Sequence, residues 1–87
     1  MANQESIVKD LKKILIDDLF VDIPEEEIGL QDSLSSDLGV DSVGFVELIT
    51  LLEDKYGIQI SSDESVSENF RNLEALSGFV QAKVASL

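Results

Sequence analysis

The sequence predicts an all-α fold of four helices, with the third helix short and a long loop after the first. Three observations predict it. Apolar residues recur at helical spacing near the start, in the middle and at the end of the chain. The only proline, Pro24, falls between the first two of these stretches. The nearest approach to strand alternation, Ile58-Gln59-Ile60, has too few apolar members to make a sheet. With 87 residues and no linker or internal repeat, residues 1–87 read as a single domain.

The first helix is expected from about Glu5 to Leu19. Ile7, Leu11, Ile14 and Leu15 form its core stripe, Val8 and Leu19 flank it, and Asn3 or Ser6 can cap its start. Ile16 and Phe20 fall off the stripe, so either the helix bends near its end or both pack under the following loop. Val21 to Val40 shows no sustained period and reads as a loop, with a helical turn near Glu25 to Ile28. A loop this long needs anchors. Val21, Ile23, Ile28, Leu30, Leu34 and Leu38 are the apolar residues that can supply them.

The second helix spans Ser42 to about Tyr56, and Gly57 terminates it. Phe45, Leu48, Ile49, Leu52 and Tyr56 point one way. Val43, Val46, Glu47, Thr50 and Asp54 share the same spacing on the outer face. Valines set among acids suit a docking face, combining apolar contact with charge steering, but scattered apolar residues are ordinary on surfaces, and the residues alone favour a plain solvent-facing side. After an extended connector, a short third helix is expected within Asp63 to Phe70, with Ser62 or Ser67 as cap and Val66 and Phe70 as its buried edge. The last helix runs from about Leu73 to Ala85, capped by Asn72, with Leu73, Leu76, Phe79, Val80 and Val84 inward.

Composition excludes much chemistry. There is no histidine and no cysteine, which removes the usual general base, thiolate nucleophiles, disulfides and the common zinc ligands. An independent catalytic site is not expected, nor is a metal site. A calcium loop starting at Asp37 would put Gly39 third and Leu48 twelfth, and one starting at Asp41 would put Val43 third, so neither register supplies ligands. The formal net charge of −12 repels nucleic acid and anionic membranes and favours basic protein surfaces. The first residues lack the basic and apolar regions of a secretory signal, and no apolar run crosses a bilayer. The expectation is a cytoplasmic monomer.

Ser42 stands where a turn becomes the second helix. Either Asp41 or Ser42 can cap that helix, and capping alone accounts for both. As a nucleophile Ser42 lacks a base of its own, so any reaction at its hydroxyl draws the base from another protein.

The wider context goes further. Asp32-Ser33-Leu34, then Asp37-Leu38-Gly39-Val40-Asp41-Ser42-Val43, then Phe45-Val46-Glu47-Leu48, resembles the acyl carrier protein family, and the likeness covers nearly the whole chain. The resemblance implies a four-helix bundle with a short third helix. It also implies a 4′-phosphopantetheine arm on Ser42, donated by coenzyme A through a phosphopantetheinyl transferase. Asp41, Val43, Val46, Glu47, Thr50 and Asp54 would then form a recognition surface for enzymes with basic docking surfaces that load, condense or transfer an acyl group. Gly44 departs from the family, which more usually has a polar or acidic residue there. The segment from Ser65 to Leu76 looks more like carriers of specialised pathways, such as polyketide biosynthesis, than like those of fatty acid biosynthesis. An aminoacyl or peptidyl carrier of the same fold is the alternative within the class. An unmodified acidic helical adaptor is the alternative outside it.

The charge imbalance has a measurable effect. Self-repulsion opposes folding most at low ionic strength, where charges interact over longer distances. Raising salt from about 10 mM to about 150 mM should raise the melting temperature. A melting temperature that falls or stays level would show that repulsion does not limit this fold.

Overall fold

A computed structural model describes residues 3–65 and 68–87 of the chain. Helix α1 spans Gln4–Asp17. Asn3 caps it, its side-chain oxygen accepting the Ser6 N–H at 2.8 Å. The stripe of Ile7, Leu11, Ile14 and Leu15 is buried as the periodicity predicts.

The end of α1 differs from expectation. The helix stops at Asp17, two residues before Leu19, because the chain turns sharply at Phe20, whose φ is 58°. Ile16 packs against the core, but Phe20 neither bends the helix nor tucks under the loop: it is 82% exposed. A side chain in the left-handed region costs roughly 1–2 kcal/mol, since its Cβ crowds the following carbonyl.

The loop after α1 is ordered by its own hydrogen bonds. A single 3-10 turn, Glu25–Glu27, falls where the helical turn was expected. Ile28, Leu34 and Leu38 are buried anchors, and Val21 and Ile23 are partly buried. Leu30 is the exception among the predicted anchors, at 43% exposed. Its contribution is its backbone: the Leu30 carbonyl accepts the Glu74 N–H at 3.1 Å, satisfying a helix-start amide. The Leu34 N–H donates to the Arg71 carbonyl at 3.1 Å, and the Asn72 side chain donates to Gln31 Oε1 at 3.3 Å. Three contacts thus hold residues 30–34 to the start of the last helix.

Helix α2 spans Ser42–Tyr56 and ends at Gly57, which takes the left-handed conformation expected of it (φ 66°). Leu48 and Leu52 are buried, while Phe45, Ile49 and Tyr56 are partly buried against the core. The Phe45 ring lies 6.5 Å from Phe70, which in turn lies 5.8 Å from Phe79. Each such aromatic contact adds about 0.5–1.5 kcal/mol beyond burial, and together they tie α2 to the last helix.

Helix α3 is short, Ser62–Ser65, followed by a 3-10 turn at Glu68–Phe70. Its cap is Ser61, one residue before the expected Ser62. Ser61 Oγ accepts the Glu64 N–H at 3.2 Å, and Glu64 Oε1 accepts the Ser61 N–H at 3.0 Å, a reciprocal capping box. Val66 and Ser67, the expected edge residue and the second cap choice, lie outside the described residues. The Lys83 ammonium, 2.9 Å from Glu64, and the Ser61 N–H hold the Glu64 carboxyl below the usual carboxylate range.

Helix α4 spans Leu73–Ala85, capped by Asn72, whose side-chain oxygen accepts the Ala75 N–H at 2.8 Å. It packs on α1. Ser77, fully buried on α4, donates to the Glu74 carbonyl and accepts from Gln4 Nε2 at 3.1 Å, so its hydroxyl is paired on both sides. Among the described residues there are no strands beyond an isolated bridge between Ser33 and Asn72, and no helix is long and apolar enough to cross a membrane. The architecture is the predicted all-α one of four helices with a short third.

Tyr56 joins α2 to α1, its hydroxyl donating to Asp10 Oδ2 at 2.8 Å. Burial, and then the bond to the Asp10 carboxylate, push the phenol pKa well above its ordinary value. In the unfolded chain the phenol ionises near pH ~10. In the fold it keeps its proton to higher pH, so its stabilising contribution is complete below pH ~10 and is lost as pH rises through the folded value. Tyr56 is the only tyrosine and there is no tryptophan, so phenolate absorbance reads this group alone. The absorbance rise should come at higher pH in the folded chain than in denaturant. Coincident titrations would contradict the Tyr56–Asp10 contact. Tyr56→Phe should lower stability by about 1 kcal/mol, measured by urea unfolding.

Candidate functional site

The turn that leads into α2 is built from short-range bonds. Ser33 begins it. Its N–H donates to Asp37 Oδ2 at 2.7 Å, and its hydroxyl oxygen accepts the Ser36 N–H at 3.1 Å. The Ser33 carbonyl accepts the N–H groups of Asp37 and Leu38 at 2.9 and 3.0 Å. Leu38 and Val40 then face the core, and Val40 N–H donates to the Leu34 carbonyl at 2.8 Å. Between them Gly39 sits at φ 73°, a conformation open to glycine at little cost. This reversal brings the chain out of the core at Asp41 and Ser42, both exposed.

The choice of cap left open by the sequence falls to Asp41. Its backbone is extended, and its Oδ1 accepts the Gly44 N–H at 2.8 Å. Ser42 is therefore the first residue of the helix proper, and the cap makes no use of its hydroxyl. With Gly44 bound to the cap, the amides of Ser42 and Val43 remain as the helix-start donors that have no intrahelical acceptor. An anion carried on Ser42 would meet those donors and the positive end of the helix dipole. A phosphodiester fits that place: an exposed hydroxyl to join it, unpaired amides beside it, and a neighbouring carboxylate already committed to another donor.

Gly44 gains a reason that the sequence did not supply. A Cβ at that position would lie 3.1 Å from Val40 Cγ1 and 3.3 Å from Asp41 Oδ1. The contact is tighter than usual with both the buried valine that ends the turn and the capping oxygen. A Cβ here would make the Val40 methyl or the Asp41 carboxylate give by a few tenths of an ångström, a contact to set against the roughly 0.5–1 kcal/mol that glycine costs within a helix.

All six residues expected on the recognition surface are exposed: Asp41, Val43, Val46, Glu47, Thr50 and Asp54. Val43 is 73% and Val46 65% exposed, high values for valines within a helix. The Thr50 hydroxyl donates to the Val46 carbonyl at 3.1 Å, turning its polar atom back onto the helix. From Val43 to Asp54 the face is a strip of small apolar groups flanked by carboxylates. Sequence reasoning singled out these residues, and quoted Ser33 and Asp37 within the motif, but missed that those two close the turn. Their signal was available in the spacing Ser33-x-x-Ser36-Asp37, a pattern of short polar side chains that closes turns on its own backbone.

Residues 9–80 match the family described as the phosphopantetheine attachment site. The chain is 34% identical over 84 residues to an acyl carrier protein of Thermosynechococcus vestitus, covering 97% of this chain and 99% of that protein. It is 37% identical over 79 residues to an acyl carrier protein of Buchnera aphidicola subsp. Acyrthosiphon pisum, covering 91% of this chain and 94% of that protein. The cofactor of this family is 4′-phosphopantetheine. The matched span includes all of α2 and the turn before it, and the likeness to both relatives runs almost from end to end: the chain belongs to the acyl carrier protein family.

Proposed function

We propose that Ser42 is the attachment residue for 4′-phosphopantetheine. On that arm the protein holds an acyl group as a thioester and hands it between biosynthetic enzymes. The observation that carries this reading is the division of labour at the start of α2. Asp41 caps the helix, Gly44 N–H to Asp41 Oδ1 at 2.8 Å, and leaves an exposed serine hydroxyl with no part in the cap. The arm also brings a thiol to a chain that has no cysteine. The protein acts as a carrier and cosubstrate rather than a catalyst. With no histidine, it depends on the transferase for the base that takes the Ser42 proton. In that transfer a phosphodiester bond forms at Ser42 Oγ as the pyrophosphate bond of coenzyme A breaks.

The outer face of α2 serves as the contact for the phosphopantetheinyl transferase and for the enzymes that load, condense or transfer the acyl group. Val43, Val46 and the carbon side of Thr50 supply apolar area, while Asp41, Glu47 and Asp54 steer basic partners toward it. The cytoplasm is the compartment where such enzymes and coenzyme A meet this protein.

Two experiments test this reading. Incubation with coenzyme A and a broad-specificity phosphopantetheinyl transferase should add the mass of one arm to the intact protein, and Ser42→Ala should abolish the addition. Failure of the native chain under conditions that modify a control carrier would sink the assignment. Val46→Asp and Glu47→Lys should each slow the modification about tenfold, as expected for the loss of a steering or anchoring contact, while leaving the helical circular dichroism unchanged. Unaltered rates would remove that face from the account.

A further inference from the structure

Three described residues have positive φ: Phe20, Gly39 and Gly57. At two of them the chain uses glycine, the residue that adopts this conformation at least cost. At the third it uses a phenylalanine. The fold needs the conformation there. Residue 20 closes the end of α1, where the Leu19 N–H donates to the Ile14 carbonyl at 3.1 Å and the Val21 N–H to the Leu15 carbonyl at 2.8 Å. Leu19 and Val21 both pack against the core. Turning both neighbours inward turns Phe20 outward, 82% exposed. The fold therefore requires a left-handed residue at this point and has no use for the ring, which strains the backbone and gains no burial. Glycine or asparagine would close the same turn more cheaply.

The surroundings of the ring indicate what covers it. Asp17 and Asp18 precede it and Asp22 follows it, all exposed. None of these carboxylates takes part in an ion pair among the described residues. An exposed aromatic ring flanked by unpaired carboxylates is complementary to an apolar socket edged with lysine or arginine. A second copy of this chain does not fit, because each copy carries a net charge of −12 and would bring carboxylates against carboxylates. Nucleic acid and anionic lipid are repelled for the same reason.

We propose that Phe20, with Asp17, Asp18 and Asp22, is a second docking point, carried by the end of α1 rather than by α2, for a basic protein partner with an apolar socket. It goes beyond the attachment reading, since none of these residues takes part in the turn or the cap around Ser42. The ring is the anchor, and the three carboxylates guide the partner to it.

The protein carrying the photoreactive residue p-benzoylphenylalanine in place of Phe20, expressed in its own host cells, should crosslink to the protein seated there. The purified partner should then bind the native chain with an affinity that falls with added salt. Binding should weaken about 30-fold for Phe20→Gly or Phe20→Asn, and also for Asp18→Lys combined with Asp22→Lys. Ser42→Ala should bind as the native chain does, which separates this proposal from the arm. Phe20→Gly should melt at the same or a higher temperature, because it relieves the left-handed strain. A structural role for the ring would lower it. No crosslink, a partner that binds Phe20→Gly as tightly as the native chain, or a lower melting temperature for Phe20→Gly would each overturn the proposal. Arm addition measured separately by intact mass stands or falls without reference to position 20.

Discussion

The position of Ser42 depends on how the loop before it is fastened to the start of α4. Leu30, Gln31 and Leu34 lie in a stretch without helix or strand, yet each makes a hydrogen bond to the segment Arg71–Glu74. The loop supplies a carbonyl to an α4 amide that would otherwise have no partner, and α4's approach supplies a carbonyl to Leu34. Leu34 itself is fully buried, so the bonds and the core contact reinforce one another. From this fixed point the chain needs only the Ser33–Asp37 turn and one left-handed glycine to deliver Asp41 to the start of α2. The order in this loop is thus tertiary in origin.

That origin explains how much of the protein was legible in its sequence. The stripes of α1 and α4, the terminal Gly57 and the cap Asn72 follow from short-range rules, and the structure places them as those rules require. The exposed face of α2 was legible for the same reason, since helical spacing assigns a side to every residue. Leu30 was misjudged because hydrophobicity predicts burial of a side chain, whereas this residue acts through its carbonyl. Phe20 was misjudged because the turn at the end of α1 depends on where Leu19 and Val21 find the core. The cap of α3 was missed by one residue although Ser61-Ser-Asp-Glu64 spells a capping box. The neighbouring Ser62 is an equally good cap residue by type, and only the reciprocal bonds distinguish the two.

At the start of α2, sequence reasoning singled out Ser42 but could not assign the cap, because aspartate and serine are both good caps and they are adjacent. The bond from the Gly44 N–H to Asp41 Oδ1 resolves the matter. The absent side chain of Gly44 leaves room for both the Asp41 carboxylate and the Val40 methyl at the first turn. A residue that looked like a loss of surface charge also sits where a Cβ would press on the cap and on the valine before it.

Asp41 and Ser42 also differ in what each can lose. The carboxylate is bound into the backbone, and the hydroxyl beside it is not part of that joint. A group can therefore be fastened to Ser42, and removed again, without breaking the bond that begins the helix. The helix cap and the exposed hydroxyl sit on neighbouring residues but share no atom. On the proposed reading, adding the arm at Ser42 would leave the Asp41–Gly44 cap bond untouched.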